Sequence, residues 1–306
     1  MITVLIPLYN KASLISRTLD SVRQQTFTQY EVVIVDDGST DGSHAVVQAY
    51  LATHGSFATR VRVIQQPNQG VSAARNRGMA ASNNDWVAFL DADDQWHASY
   101  LQRLYDMTIQ YPDCQVFGTA YTLVTAPGKS RPAVLHHLPR TNASCRIDQY
   151  FVVATASAPP LSSSSTMVSR RALQAIGGFP PGIGAGEDLL TWARLALHCN
   201  LAYDNHPLAT IDRDPRDFNE DQRNRMPDMA DTVGQALHAL LQAYPQVPGL
   251  KSYVGKWYKM RTHIYLAAGQ RKAAFQEWRR WGRYEQGGYK RWAFLLLIFL
   301  PFKYLR

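Results

Sequence analysis

The sequence predicts an α/β fold in which helices flank a mostly parallel sheet, followed by a helical C-terminal extension. Three observations lead to this prediction. Short apolar runs alternate with helical patterns over residues 1–120, an order typical of parallel sheets. The run at residues 32–35 is apolar without interruption, as expected of a strand covered on both faces. From about residue 245 the pattern is helical only.

The first elements follow one another in strict alternation. A strand, a crossover helix and a second strand in one sheet connect right-handedly in nearly all proteins, so we expect parallel neighbours. The carboxyl ends of such strands lie at one edge of the sheet, where ligands bind. We predict a strand at residues 2–8, a helix at about 13–25, a strand at 30–35, a helix at about 43–52, a strand at 60–65, a helix at 71–82 and a strand at 85–90.

The middle of the chain is less regular. Residues 126–165 contain the loop segments APGKSRPA and APPLSSSS. Residues 163–179 predict a strand, a helix and a glycine stop, and residues 186–199 predict a helix. The first turn of that last helix is acidic, which suits the positive end of a helix. After a long polar loop, we expect a domain boundary near residues 222–245.

The bulk composition indicates a globular protein with a sizeable core. The chain has 306 residues, of which 46% are hydrophobic and 18% charged. Its three cysteines form no CxxC pair, which favours free thiols in a reducing compartment. The apolar run at 292–302 is shorter than the ~20 residues of a spanning helix. With no signal-peptide pattern before the first strand, we predict a cytoplasmic protein.

The positive charge is concentrated in the C-terminal extension. The chain carries a formal net charge of +8, and residues 251–306 alone hold 13 lysines and arginines against 2 acidic residues. The tryptophans among these cations are typical of segments that bind anionic membrane surfaces; they are Trp257, Trp278, Trp281 and Trp292. We therefore predict peripheral attachment to the inner face of the cell membrane. The alternative is that these aromatic residues pack on the preceding domain. Nucleic acid is not a predicted partner, because no recognition motif accompanies the charge.

Acidic residues follow the strand predicted at residues 85–90. Asp91 and Asp93 are alternate residues, and in an extended segment alternate side chains point the same way. Two carboxylates aimed at one point suit Mg²⁺ or Mn²⁺, which bind few protein groups together with substrate phosphates. The alternative is a turn whose aspartates cap the next helix.

A second acidic pair, Asp36 and Asp37, follows the strand at residues 30–35. A carboxylate at this position can accept hydrogen bonds from a nucleobase or a ribose hydroxyl. Tyr9 can stack on a base, and Arg75 can pair with a phosphate in forked geometry. The alternatives are a simple turn for the aspartates and an exposed helix charge for the arginine. Taken together, these residues predict a nucleoside-diphosphate site.

Four longer segments occur in a specific order along the chain. They are VLIPLYNKASLISRTLDSVRQQTFTQYEVVIVDDGSTDGS, NQGVSAARNRGMAAS, WVAFLDADD and IGGFPPGIGAGEDLLTWARLAL. Together they resemble the signatures of family 2 glycosyltransferases over roughly residues 1–200. The resemblance implies the GT-A fold, a nucleotide-activated sugar as donor, and inversion at the transferred sugar.

The resemblance also implies roles for individual residues. Asp91 and Asp93 correspond to the DxD motif, with Asp93 as the metal ligand and Mn²⁺ or Mg²⁺ as cofactor. Glu187 and Asp188 correspond to the ED motif, with Asp188 as the catalytic base; the alternative is ordinary acidic filling of a helix's first turn. The residues expected to bind the nucleotide sugar are Pro7, Tyr9, Asn10, Asp36, Asp37, Arg75, Asp91 and Ala92.

The expected organisation follows from these assignments. Residues 1–222 form the GT-A domain, with a nucleotide-binding half at about 1–125 and an acceptor half at about 126–222, and residues 223–306 form the extension. Many members of the family carry a basic or histidine-containing segment after the ED helix. Here the segment TIDRDPRDFNEDQRNR has no histidine. Arg213 or Arg216 can replace it, and a solvated charged loop is the alternative.

The expected activity is transfer of a sugar, with inversion, from a nucleotide-diphosphate donor to a hydroxyl of a glycan or lipid-linked acceptor. We expect a UDP-sugar as donor and a role in surface polysaccharide or glycolipid synthesis. Two alternatives remain: a catalytically silent module that binds sugar nucleotides or glycans, and a nucleotidyltransferase. The latter needs a glycine-rich basic loop after the first strand, and PLYNKAS is not one.

Overall fold

The computed structural model describes residues 1–139, 144–213, 226, 230–284 and 289–299. The strands in these residues are β1 (Ile2–Leu8), β2 (Tyr30–Asp36), β3 (Val61–Gln65), β4 (Trp86–Phe89), β5 (Gln95–Trp96), β6 (Val116–Ala126), β7 (Lys129–Pro132), β8 (Ser144–Arg146), β9 (Thr166–Ser169) and β10 (Leu201–Asp212).

The helices surround these strands. They are α1 (Ile15–Arg23), α2 (Ser43–Thr53), α3 (Gly55–Ala58), α4 (Val71–Ala81), α5 (Tyr100–Gln110), α6 (Tyr150–Ala156), α7 (Arg170–Ala175), α8 (Glu187–His198), α9 (Thr232–Ala243), α10 (Leu250–Ala267), α11 (Arg271–Trp281) and α12 (Tyr289–Phe299).

In the described part of the chain, all ten strands belong to one sheet. The order is β3-β2-β1-β4-β9-β6-β10-β5, with β7 paired to β6 and β8 paired to β10. The four strands from β3 to β4 are parallel, as predicted, and β10 is parallel to β6. The strand β9 runs antiparallel to both β4 and β6 and joins these two parallel groups. The predicted α/β class is confirmed. The four predicted parallel strands form the first half of the strand order.

Successive strand residues point to opposite sides of the sheet, and at the centre of the sheet both sides are buried in apolar clusters. Leu5 of β1 packs in one apolar cluster, with α6, α7 and α8, while its neighbours Val4 and Ile6 pack in the other, with α1 and α5. All three are fully buried. Helix α1 contributes Ile15, Thr18, Leu19 and Val22, which are spaced by three and four residues and form one helical face.

The C-terminal extension packs on the sheet domain. The prediction that its tryptophans bind a membrane surface is therefore wrong for three of them. Trp257, Trp278 and Trp281 are 3%, 8% and 1% exposed, and they belong to the same apolar cluster as Leu5 of β1. They are core residues and do not contact a membrane. The reason is that α10 and α11 bury their aromatic side chains against the α6 and α8 side of the sheet.

A buried ionic network ties the helices of the extension together. The Asp231 carboxylate accepts a hydrogen bond from Trp257 Nε1 at 2.9 Å and lies 3.4 Å from Arg261 Nη1. Arg261 also bonds Glu277 at 3.1 Å, and Arg280 lies 3.2 Å from Asp231. Because the buried Asp231, Arg261 and Glu277 each have an opposite charge beside them, the network avoids the high cost of an unpaired buried ion.

The last described helix has an exposed apolar face. Trp292, Leu296 and Phe299 of α12 are 55%, 68% and 69% exposed, and their spacing of four and three residues places them on one side of the helix. Among the described residues, every helix falls short of the length and apolarity needed to cross a bilayer. The predicted domain boundary at residues 222 and 223 lies outside the described residues.

Candidate active site

The carboxyl ends of three parallel strands meet at one edge of the sheet. Leu8 of β1 is in register with Asp36 of β2, and Leu5 of β1 is in register with Phe89 of β4. The segments that follow these strands therefore leave the sheet side by side. They bring together Asp37 and Asp91, which are far apart in the sequence.

A cavity of about 1280 Å³ opens at this edge. One wall comes from the strand ends and α4, another from the start of α8, and a third from α10. Most of the predicted site residues line it: Pro7, Tyr9, Asp37, Arg75, Asp91, Ala92, Asp93, Glu187 and Asp188. Asn10 and Asp36 are absent from this lining.

Asn10 and Asp36 shape the loops beside the cavity. Asp36 Oδ1 accepts a hydrogen bond from the Ser39 amide at 3.0 Å, and Asn10 Oδ1 accepts one from the Thr40 amide at 2.8 Å. Asn10 itself has a positive φ of 52°, a conformation that asparagine tolerates better than most residues. These contacts hold the loop after β1 against the loop after β2. Direct contact of either residue with a nucleotide stays a prediction.

Asp37 supports the start of α4. Its Oδ1 accepts hydrogen bonds from Gln66 Nε2 at 2.7 Å and from the Gln69 amide at 2.9 Å, and its Oδ2 accepts one from the Gly70 amide at 2.8 Å. The residue is only 3% exposed. This carboxylate therefore fixes the position from which α4 presents Arg75 to the cavity.

Arg75 bridges two predicted motifs instead of standing free for a phosphate. Its Nη1 donates to Glu187 Oε1 at 3.2 Å and its Nη2 donates to Asp91 Oδ1 at 2.8 Å. The residue is 2% exposed, and Phe179 covers the guanidinium at 5.0 Å. Burial lowers the pKa of Arg75, but the charges of Asp91 and Glu187 outweigh burial and raise it. The side chain is a fixed cation that joins the end of β4 to the start of α8.

Asp93 is paired with Lys11, a residue that sequence reasoning did not select. Lys11 Nζ lies 2.6 Å from Asp93 Oδ2, and Lys11 is 8% exposed while lining the cavity. The two residues lie after different strands, so local sequence patterns do not reveal the pair. Two aspartates that follow β4 thus each have a cation beside them: Lys11 pairs with Asp93, and Arg75 pairs with Asp91.

The segment from Asp91 to Asp94 is a turn, so the prediction of an extended segment is wrong. The Asp94 amide donates to the Asp91 carbonyl at 3.1 Å, so Asp91 and Asp93 do not alternate along an extended strand. They nevertheless line the same cavity. Asp94 is buried and accepts the Asp212 amide at 2.8 Å. Burial, followed by the charges of Asp93 and Asp91, raises the pKa of Asp94 well above its ordinary value.

Asp188 stands in the first turn of α8 and lines the cavity. The residue that caps the start of the helix is Gly186, whose φ of +87° is in the left-handed region. A side chain there would place its Cβ 2.5 Å from the Trp257 ring, so both the conformation and the close packing require glycine. Asp188 Oδ1 accepts the Leu189 amide at 2.7 Å. The half-buried carboxylate therefore has a defined place beside the cavity.

The acidic turn fits a divalent cation. Asp91 and Asp93 each use one oxygen for the ion pairs with Arg75 and Lys11, and their other oxygens accept no hydrogen bond from the part of the chain that is described. Groups of three or more metal-ligating side chains are absent from the described residues. Two carboxylates suffice for Mg²⁺ or Mn²⁺ when substrate phosphates and waters supply the remaining ligands.

The C-terminal extension contributes a wall that sequence reasoning missed. Ser252, Lys256, Met260 and Ile264 of α10 recur every four residues and all line the cavity. This spacing was visible in the sequence, but the basic and aromatic composition drew the interpretation towards a membrane. Arg213, one of the two basic candidates after the ED motif, also lines the cavity. The other, Arg216, lies outside the described residues.

Comparison with known proteins identifies the family. A model described as "Glycosyl transferase family 2" matches residues 3–177, which is more than half of the chain. The chain belongs to glycosyltransferase family 2. This family 2 protein is 31% identical over 137 residues to the putative teichuronic acid biosynthesis glycosyltransferase TuaG of Bacillus subtilis, a match that covers 44% of the chain and 52% of TuaG.

Solved structures share the fold of this family 2 protein. The 1–349 segment of S. aureus TarS in complex with UDP-GlcNAc superposes with a TM-score of 0.69 at 15% identity, covering 93% of the chain and 81% of TarS 1–349. The mannosyltransferase PcManGT from Pyrobaculum calidifontis, in complex with GDP-Man and Mn²⁺, gives 0.56 at 20% identity, covering 96% and 78%. At these identities the likeness establishes the GT-A fold with additional C-terminal helices.

The curated relatives are longer than the matched segments. The first three curated relatives are matched over 18%, 32% and 30% of their own lengths. The matched segments cover 42%, 35% and 36% of this chain. The donor, the acceptor and the partners of this protein are therefore matters for proposal.

Proposed function

We propose that this family 2 protein is an inverting, metal-dependent glycosyltransferase that moves a sugar from a UDP-sugar to a hydroxyl of a glycan or lipid-linked acceptor. One observation carries the proposal. Asp188, at the start of α8, and the carboxylates of Asp91 and Asp93, after β4, line one cavity. A base and a diphosphate site facing the same space are what a single displacement at a sugar carbon requires.

The residues divide the chemistry between them. Asp188 accepts the proton of the acceptor hydroxyl as that oxygen attacks the anomeric carbon. Attack from the face opposite the nucleotide inverts that carbon, as in inverting sugar hydrolysis. A divalent cation on Asp91 and Asp93 would neutralise charge that develops on the leaving diphosphate. Arg75 acts as a positioning residue, because its guanidinium holds Asp91, after β4, next to Glu187, at the start of α8.

The donor and pathway class rest on the relatives. TarS 1–349 is described in complex with UDP-GlcNAc, and PcManGT with GDP-Man and Mn²⁺. TuaG is named for teichuronic acid biosynthesis. We assign a uridine nucleotide, a sugar donor and a Mn²⁺ or Mg²⁺ cofactor on this basis. The assigned role is synthesis of a surface polysaccharide or glycolipid.

The proposed location is the inner face of the cell membrane. The exposed face of α12, formed by Trp292, Leu296 and Phe299, is the part of the extension available to a bilayer. The excess of cations after residue 250 favours an anionic surface. The other tryptophans of the extension are buried and support the domain. Attachment therefore depends on a short apolar face together with the surrounding charge.

A catalytically silent sugar-nucleotide-binding module is the competing function. It is favoured by one observation, that Asp91 and Asp93 already have protein cations beside them in Arg75 and Lys11. Such a module would bind UDP-sugars without releasing UDP. A nucleotidyltransferase is disfavoured by the family match and would instead release pyrophosphate from a nucleoside triphosphate.

The test is a screen of UDP-sugars for UDP release with Mn²⁺, Mg²⁺ or a chelator. We expect release with at least one donor and metal, and we expect Asp188→Asn to lower turnover by about 10²–10⁴-fold, the range for general-base catalysis. Donor affinity should change little. Asp106→Asn, on the exposed side of α5, removes a comparable carboxylate far from the cavity and is the control. UDP-sugar binding with no release under any condition would establish the silent module instead.

A further inference from the structure

Two side chains of helix α1 reach the acidic turn that follows β4. They belong to Arg17 and Thr18, which are consecutive residues of α1. The residues that they contact lie between 74 and 76 positions further along the chain. The sequence predicts α1 only as a crossover between β1 and β2. The structure also places it behind the turn whose carboxylates are proposed to hold the divalent cation.

Three successive carbonyls of this turn accept hydrogen bonds from α1. The Thr18 hydroxyl lies 3.0 Å from the Ala92 carbonyl oxygen and 2.9 Å from that of Asp94. Between them, Arg17 Nη2 donates to the Asp93 carbonyl oxygen at 3.0 Å. Thr18 is fully buried. Because buried carbonyls need donors, these contacts determine which way the backbone of the turn faces.

Arg17 also joins the turn to the end of β10. The same Nη2 forms an ion pair with Asp212 Oδ2, and the Asp212 amide donates to Asp94 Oδ1 at 2.8 Å. Asp212 lines the cavity, and its side chain is 10% exposed. The guanidinium therefore offsets the charge of a carboxylate that stands close to the proposed diphosphate site.

The remaining backbone contacts of the turn hold it from other directions. The Asp91 amide donates to Ser164 Oγ at 3.0 Å, and the Asp94 amide donates to the Asp91 carbonyl at 3.1 Å. An aspartate side chain is short and has two torsions, so the place of its oxygens follows the backbone closely. The relative position of the Asp91 and Asp93 carboxylates is thus set by the contacts around the turn.

We propose that Arg17 and Thr18 are positioning residues of the metal site. They hold the turn in the conformation in which Asp91 and Asp93 bind one divalent cation together. Groups that orient metal ligands without touching the metal contribute about 10–100-fold to its affinity. This inference rests on the proposed function, because it requires the cation at this turn.

The proposal separates metal binding from nucleotide binding. The residues expected to hold the nucleoside, among them Tyr9 and Asp37, follow β1 and β2. Arg17 and Thr18 contact the turn after β4 instead. Loss of either α1 contact should therefore weaken the cation and leave metal-free binding of UDP unchanged.

The test measures Mn²⁺ and UDP affinities of the full chain separately. Mn²⁺ is titrated with UDP present, and bound metal is determined from the loss of the electron paramagnetic resonance signal of free Mn²⁺, corrected for Mn²⁺ held by UDP alone. UDP binding is measured by calorimetry in a chelator. We expect Arg17→Met to weaken Mn²⁺ by at least about tenfold and to leave UDP binding in the chelator unchanged. Arg17→Lys keeps a donor for the Asp93 carbonyl and should lose less.

Arg23→Met is the matched control. Arg23 is an exposed arginine of the same helix that pairs with Asp20, so its replacement should change neither affinity. Thr18 supplies an independent pair of variants. Thr18→Val removes the hydroxyl at similar shape and should weaken Mn²⁺, whereas Thr18→Ser keeps the hydroxyl and should retain the affinity. Melting temperatures verify that each variant is folded.

Unchanged Mn²⁺ affinity in Arg17→Met and Thr18→Val would overturn the proposal. So would an equal loss of UDP affinity in the chelator, or an equal loss of Mn²⁺ affinity in Arg23→Met. Weaker Mn²⁺ in Arg17→Met without UDP release from any sugar would refute the proposed activity alone. UDP release with unchanged Mn²⁺ affinity would refute the positioning role alone, and failure of the unmodified chain to bind Mn²⁺ would refute both.

Discussion

Replacement of Arg75 by alanine tests whether this guanidinium is a structural bridge. Arg75 pairs with both Glu187 and Asp91. In Arg75→Ala both carboxylates lose this ion pair at once. An arginine that only bound a phosphate of the donor would behave differently, because its replacement would leave no unpaired buried charge in the free protein. Stability measured without donor therefore separates the two roles.

The expected loss follows from the burial of each carboxylate. The Glu187 side chain is 6% exposed, and removing one partner of a buried ion pair costs about 3–5 kcal/mol. The Asp91 side chain is 36% exposed, so its share is at most about 1 kcal/mol. We expect Arg75→Ala to lower the free energy of unfolding by about 3–5 kcal/mol, a large part of the ~5–15 kcal/mol typical of a folded chain.

The assay is urea unfolding at neutral pH on a double-mutant cycle. Glu187→Gln removes the buried charge, so Arg75→Ala should cost about 2–3 kcal/mol less in that background. In the Asp91→Asn background, Arg75→Ala should cost at most about 1 kcal/mol less than in the unmodified chain. This background is the internal control. A loss below about 1 kcal/mol in Arg75→Ala, or an equal loss in the Glu187→Gln background, would refute the bridge.

Three further predictions concern the metal, a buried lysine and the membrane face. Asp93→Asn should weaken Mn²⁺ binding, followed by calorimetry with UDP present, by at least about tenfold, since even the outer partners of metal ligands contribute about 10–100-fold. Burial lowers the pKa of Lys256 from 10.5 to about 8, so between these values the unfolded chain binds more protons and stability rises with pH. The melting temperature of the unmodified chain should rise from pH 7 to 10, and that of Lys256→Met should lack this rise. Leu296→Ser should reduce pelleting with anionic vesicles more than Ile109→Ser, which changes a comparably exposed apolar residue on α5; equal pelleting would exclude the α12 face.

The sequence predicted the parallel half of the sheet because most of its strands are local apolar runs between turn residues. It did not predict β6 and β10, which form the other half. Strand β10 contains polar residues and a register shift between Asp204 and Pro207, so neither a clean apolar run nor strict alternation marks it. Its pairing with β6 is set by contacts between segments some eighty residues apart, which no local pattern records.

The candidate site shows the same division. The positions of Asp91, Asp93 and Asp188 at element ends followed from short motifs and the family resemblance. Their partners did not, because Arg75 reaches Glu187 across 112 positions and Lys11 reaches Asp93 from the loop after another strand. For the extension, composition indicated a membrane, whereas the burial of Trp257 and Trp281 depends on which side of α10 and α11 faces the sheet.

The contact between Gly186 and Trp257 has a consequence for protein engineering. The turn that starts α8 closes against the α10 indole, and Tyr253 of the same helix bonds the α8 backbone. Residues 250–267 thus contribute both to the hydrophobic core and to one wall of the cavity. A chimera that takes residues 250–267 from a relative therefore changes part of its hydrophobic core as well as one wall of its cavity. Such a graft needs a compatible indole and a glycine at the facing turn, and the two segments have to be transferred as a pair.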